Sequence, residues 1–311
     1  MTPSYRLFAL FFLFASTTAA ATPDVSSIQS DLITPKVITG DPRPGKRVFQ
    51  SLPGYEVSNV RHALYLPTDW GKGKSYPVIA EYTGNNGTVA GGKAAQGYGI
   101  SGGKAFIWVT LPFVSEDGIT DMDWWWGDPD RTASYAVKAV ESICENWGGD
   151  PNAVILTGHS RGAIACNYIG LRNDKIAKLW LGMVPVSHYD NRRWGQTEAE
   201  QVRRVERLLR LGNTPQYVCG EYHLTENHKD QKLLSLVQEG NFATLAEVKR
   251  HLNIESILDQ EGIRSHILQN HPTAKVTFDA FPWVNHYGDW ILRDTPSREK
   301  LRSWVHDLVG R

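Results

Sequence analysis

The sequence predicts an α/β fold: a mostly parallel central sheet with helices on both faces and a helical insertion. Short apolar β-runs alternate with amphipathic helical stretches along most of the chain, the pattern of βαβ units. Two runs, AFIWVTL at 105–111 and LWLGMVPV at 179–186, are apolar almost without a break, as suits strands buried on both faces. A third, Ala153-Val154-Ile155-Leu156, leads into Gly158-His159-Ser160-Arg161-Gly162 and then Ala163, Ile164 and Ala165. That order reads as strand, sharp turn and helix, with a serine at the apex.

Composition narrows the class. The chain has 311 residues, 41% hydrophobic and 21% charged, which suits one large domain with a sizeable core. Lysine plus arginine equals aspartate plus glutamate at 33 each, so net charge gives no reason to expect nucleic acid or an anionic membrane as partner. Residues 1–21 stand apart. Arg6 precedes the apolar run LFALFFLFA, and Ala19-Ala20-Ala21 ends the segment. This is the layout of a signal peptide cut after Ala21, and it predicts a secreted or periplasmic protein with no membrane anchor after cleavage. Residues 22–45 show little periodicity and are expected to be a loosely attached tail. Residues 46–311 are then expected to form the main domain.

The elements follow in order. VRHALYL at 60–66 and YPVIAEY at 76–82 read as strands, the second with its proline at the start, where a missing N–H is tolerated. The latter opens into the loop Thr83-Gly84-Asn85-Asn86-Gly87. Strand 105–111 runs into a long loop at 112–128, and loops of that length inside a domain are usually functional. A helix follows, capped by Asp128 or Asp130, with Pro129 in its first turn. Tyr135, Val137, Val140, Ile143, Cys144 and Trp147 form one stripe, and Gly148-Gly149 end it. After the elbow come strand 179–186, an amphipathic helix at 198–211, and strand 216–219 closing at Gly220-Glu221. A polar, mostly helical insertion at 222–262 reads as a cap or rim. A helix at 263–270, a strand at 275–281 and a final helix at 296–309 complete the chain. In such sheets ligands bind at the carboxyl ends of the strands, where the elbow and the loops after Tyr82, Leu111 and Phe281 converge.

The GHSRG elbow, the β–loop–β spacing before it and the histidine loop before the last helix resemble the α/β-hydrolase superfamily over about residues 46–311. Within it the chain looks most like secreted bacterial serine esterases near the polyhydroxybutyrate-depolymerase and feruloyl or acetyl-xylan esterase group. The resemblance implies a serine nucleophile, an acid and a histidine base in that chain order, with no cofactor. Ser160 is the nucleophile. His286, in FPWVNHYGDW, holds the base position. His223, His228 and His271 are alternatives, and His62 and His306 are read as packing or surface residues. Glu221 is the first choice of acid by position, with Asp190 and Glu226 as alternatives. The oxyanion hole is expected from the N–H of Arg161 and that of Gly84 or Asn85.

Trp124, Trp125, Trp126 and Trp283, with Tyr287, suggest an aromatic cleft, although adjacent tryptophans cannot all face one way. His159 is expected to point away from the nucleophile and is grouped with the substrate-lining residues. The aspartates of the 112–130 segment match no calcium-loop pattern, so no metal is expected. Cys144, Cys166 and Cys219 are odd in number and read as buried thiols or one disulfide. The expected activity is hydrolysis of carboxylic esters, on a small molecule or a polysaccharide, through an acyl-enzyme. A serine peptidase or acyltransferase on the same triad, or a non-catalytic binding protein on the same scaffold, are the alternatives.

Overall fold

The computed structural model describes residues 25–189, 203, 206–222, 276–282 and 286–310, the side chains of 221, 222, 278, 280 and 282 excepted. Among the described residues nine strands form one sheet: β1 (Val37–Ile38), β2 (Arg47–Gln50), β3 (His62–Tyr65), β4 (Tyr76–Tyr82), β5 (Ile107–Leu111), β6 (Gly149–His159), β7 (Gly182–Val186), β8 (Gln216–Tyr222) and β9 (Val276–Pro282). Their spatial order is β1-β2-β3-β5-β4-β6-β7-β8-β9. From β5 to β9 every neighbouring pair is parallel; β3 runs antiparallel to both β2 and β5. The sheet is therefore mostly parallel, as the alternation of elements predicts, with an antiparallel edge that the alternation does not reveal.

The α-helices whose bounds lie among the described residues are α1 (Gln96–Ser101), α2 (Pro129–Trp147), α3 (Arg161–Tyr168), α4 (Asp174–Ala177) and α5 (Pro296–Leu308). Strand alternation divides the core between the two faces. In β4, Tyr76, Val78, Ala80 and Tyr82 join the cluster under α2 and α3, whereas Ile79 joins Trp108, Ile155, Val184, Leu301 and Val305 on the other face. Helix α2 begins as its sequence dictates: the Asp128 carboxylate accepts from the N–H groups of Asp130 and Arg131, Pro129 occupies the first turn, and Gly148 at φ 75° ends it. The three cysteines form no disulfide with one another; Cys166 and Cys219 are buried and Cys144 is half-buried. Among the described residues no helix is long and apolar enough to cross a membrane.

The tail at 22–45 is not loosely attached where it is described. Val25 enters the core beside Leu301 and Val305. Asp31 and Leu32 donate their N–H groups to the Leu292 carbonyl, at 3.1 and 3.2 Å. The Arg298 guanidinium, 3% exposed, donates to both Asp31 carboxylate oxygens at 2.6 and 2.9 Å. Backbone bonds and one ion pair anchor this segment, and neither leaves a hydrophobic period to read. Residues 1–24, which include the expected signal peptide, lie outside the described residues. So do half of the expected helix at 198–211, nearly all of the insertion at 222–262 and the expected helix at 263–270.

The hydrogen bonds from Arg298 hold the Asp31 carboxyl below its ordinary pKa. A depressed carboxylate contributes stability above its unfolded pKa of about 3.9 and loses it as pH falls through the lower folded value. Asp31→Asn is therefore expected to cost about 1 kcal/mol at neutral pH, the scale of a solvent-screened pair. The difference from wild type should shrink as pH falls below about 4, because the wild-type carboxylate is itself being protonated. Thermal unfolding of both proteins across that range checks it.

Candidate active site

Ser160 sits at the junction of β6 and α3 with φ 57° and ψ −117°, a left-handed conformation rare for a residue with a side chain. Its N–H donates to the Val186 carbonyl at 3.0 Å, and its own carbonyl accepts from Ile164 N–H at 3.2 Å. The turn closes only because its flanking residues lack a Cβ. One built on Gly158 would stand 2.4 Å from the Gly162 carbonyl, and one on Gly162 would stand 2.1 Å from that of Tyr82. The strain lifts the serine hydroxyl off the sheet, above the N-terminus of α3.

His286 meets it there. The Ser160 Oγ and His286 Nε2 are 2.9 Å apart, across 126 positions of sequence, set for the hydroxyl to donate to the ring nitrogen. The His286 ring lies between two other imidazoles, with centroids 4.8 Å from His159 and 5.2 Å from His188. His159, expected to point away, lines the cleft beside the base. His188 follows β7 and escapes a reading based on motifs; its only sequence signal is its place after a strand.

The histidine loop is held from below. The Gln96 side-chain N–H donates to the Gly288 carbonyl at 2.7 Å. Gln96 is fixed in turn by Glu81, a buried carboxylate in β4. It accepts from the N–H groups of Ala95, Gln96 and Gly97 and from Trp108 Nε1, at 2.9 to 3.0 Å. Burial pushes the Glu81 carboxyl pKa up, against the pull of these N–H donors and of Arg47. Glu81→Ala would strand four buried donors. It is expected to destabilise the protein by about 3 kcal/mol or more, and Glu81→Gln by less because one acceptor oxygen survives. Urea denaturation midpoints measure both.

Both expected oxyanion donors belong to backbone next to the nucleophile. Arg161 is the first residue of α3, whose opening N–H groups have no partner within the helix and carry the positive end of its dipole. A Cβ on Gly84 would stand 3.6 Å from the Ser160 Cβ, so glycine keeps that space open to a reacting oxygen. Asn85 N–H is on the same loop. The Asn85 side chain does a different job: its Oδ1 accepts from Trp125 N–H at 3.2 Å, joining the loop to the tryptophan segment.

Ser160 and His286 open onto a cleft of about 670 Å³ that Gly84, Asn85, Gln96, Trp124, His159 and Tyr287 also line. Trp124 is 50% exposed and Tyr287 67%. The grouping of three tryptophans with the substrate needs correction. Trp125 packs half-buried against the core and Trp126 is buried in it, its ring tilted against Tyr168 with centroids 5.1 Å apart, because successive side chains of one segment point in different directions. Trp283, Asp190 and Glu226 lie outside the described residues, as do His223, His228 and His271. Of Glu221 the backbone alone is described: it is the penultimate residue of β8, in register with Phe281 of β9, so the strand runs beyond the expected end at 219. Among the described residues no cluster of three His, Cys, Asp or Glu side chains could hold a metal ion.

No family model and no curated protein matches the sequence. Solved structures do. An S-formylglutathione hydrolase from Agrobacterium tumefaciens matches with a TM-score of 0.51 and 11% identity, over 85% of this chain and 93% of that one. The chain has the α/β-hydrolase fold. A protein described as a putative dipeptidyl aminopeptidase IV, from Bacteroides ovatus, matches at TM-score 0.50 and 14% identity, over 80% of this chain and 33% of that one. A thermostable esterase matches at 0.48 and 11%, over 84% and 62%. The chain thus spans about a third of the peptidase and under two thirds of that esterase. The α/β-hydrolase sheet places each backbone segment of interest at a strand's carboxyl end: Gly84 after β4, Ser160 after β6, Glu221 in the last two residues of β8 and His286 after β9.

Proposed function

We propose that this protein is a secreted or periplasmic serine esterase that cleaves carboxylic esters through an acyl-enzyme. One observation carries the reading: a serine hydroxyl on a left-handed elbow, 2.9 Å from a histidine nitrogen, at the mouth of an open cleft. His286 takes the Ser160 proton as the oxygen attacks the ester carbonyl. The Arg161 N–H and the N–H of Gly84 or Asn85 receive the oxyanion. His286 then protonates the leaving alcohol, and water repeats the sequence on the acyl-serine. An acid, with Glu221 first in position, orients the imidazole and stabilises its charged form.

Trp124 and Tyr287 give the cleft two exposed aromatic faces, which favours esters carrying a ring, whether a sugar or a phenolic acyl group. Esters on plant or algal polysaccharides are the proposed substrates. The purified protein should release nitrophenol from a short p-nitrophenyl ester, and the Ser160→Ala protein should not; equal rates would overturn the proposal. A panel of acetylated xylan, feruloylated sugars, polyester and matched amides then ranks the substrate classes.

A further inference from the structure

The Arg161 side chain has a task separate from that of its N–H. Arg161 is 1% exposed, and its guanidinium reaches away from α3 into the two loops that wall the cleft. On the 83–87 loop, Nε donates to the Thr83 carbonyl at 3.4 Å, and Nη2 donates to Thr83 Oγ1 at 3.2 Å and the Gly87 carbonyl at 2.8 Å. On the tryptophan segment, Nη1 donates to the Met122 carbonyl at 3.2 Å and to that of Trp125. All five N–H groups are used, in the planar fork that only arginine offers. The plane rests on the Phe113 ring, 4.1 Å from its centroid.

This is a costly way to fill a core. Among the described residues the guanidinium makes no ion pair, and burial pushes its pKa down to about 10 despite the nearby charges of Asp121 and Asp123. Its acceptors are not scattered. Thr83 and Gly87 bracket Gly84 and Asn85, and Thr83 Oγ1 also donates to the Gly87 carbonyl at 2.7 Å. Met122 and Trp125 bracket Trp124, and Asn86 N–H donates to the Asp123 carbonyl at 2.8 Å. One side chain therefore ties three parts together: the start of α3, the loop expected to supply the second oxyanion donor, and the aromatic wall.

We propose that Arg161 is a positioning residue whose side chain fixes the spacing between the two oxyanion donors, one of which is its own N–H, and locks the Trp124 wall to them. The inference rests on the serine-esterase reading above. A transition-state oxyanion needs both donors within hydrogen-bond reach at once, and a displacement of about 1 Å lowers the rate about 100-fold. The fork, rather than the charge alone, does the spacing, because a lysine ammonium offers three donors on a flexible stem and cannot reach both loops in one plane.

The test compares an oxygen ester with its matching thionoester in the wild type, Arg161→Lys, Arg161→Met and Thr83→Val. Sulfur accepts hydrogen bonds poorly, so only the oxygen ester gains fully from the donors, and the ratio of the two kcat/KM values reports on the hole. In both Arg161 variants kcat for the oxygen ester should fall about 100-fold with little change in KM, and the ratio should fall toward one. Thr83→Val, which removes one of the five acceptors, should lower the ratio about 5-fold and decides the matter if the Arg161 variants do not fold. A general loss of folded protein would lower both substrates equally and leave the ratio unchanged. An unchanged ratio in the folded variants, or full activity in Arg161→Lys, overturns the inference. If the wild type hydrolyses neither ester faster than Ser160→Ala does, the serine-esterase reading itself falls, and the inference with it.

Discussion

Ester hydrolysis by the Ser160→Ala protein is expected to fall on the order of 10⁶-fold, the scale seen when a serine hydrolase loses its nucleophile. The fold should survive. Only the hydroxyl is removed, and its recorded partner is the exposed His286 ring rather than a core residue. Alanine suits the left-handed φ of 57° no better and no worse than serine in steric terms, because both carry a Cβ. Thermal unfolding within a degree or two of wild type, beside a vanished kcat, is the expected pair of results. His286→Ala should lose activity on a similar scale, since serine and histidine act as one unit and their losses do not add.

Gly162→Ala is expected to have the largest effect on stability, about 3 kcal/mol or more. The added methyl would lie 2.1 Å from the Tyr82 carbonyl oxygen and 2.8 Å from its carbon. Those atoms belong to β4, the strand paired in register with β6, so no side-chain rotation can relieve the overlap. Either the elbow opens or the strand end shifts. Both move Ser160 away from Gly84, so activity should fall with stability. Soluble yield, the urea midpoint and ester turnover measure the three consequences. Gly158→Ala should act in the same way, against the backbone of Gly162 at 2.4 Å.

Helix α2 is legible, because its aspartate cap, Pro129, apolar stripe and Gly148 end are all local signals; the structure decides only that Asp128 rather than Asp130 is the cap. The elbow is legible for the same reason. His286 could be placed only by chain order, since nothing near it in sequence encodes a contact 126 positions away. Helix α1 was not readable: QGYGIS has two glycines in six residues, a poor helix by propensity. It forms because the Glu81 carboxylate binds its first N–H groups. The glycines let it sit tight against its neighbours, where a Cβ would meet Trp108 at 2.2 Å and Ile291 at 2.4 Å. Tertiary contacts override propensity there. The docked tail and the Arg161 fork escape for a related reason. Both are built from polar bonds to backbone carbonyls or to single side chains, and such bonds have no period. The three tryptophans advertise an aromatic site in sequence, but which of them faces the cleft is set by the backbone of the loop, including the left-handed Trp125 at φ 56°.

The most direct test of the serine mechanism is covalent labelling of the intact protein with a fluorophosphonate, followed by mass spectrometry of its peptides. A single adduct on Ser160, absent from Ser160→Ala and slowed by about 100-fold or more in His286→Ala, is the expected result. An unlabelled Ser160, or an adduct on another serine in a protein that still hydrolyses esters, would contradict it.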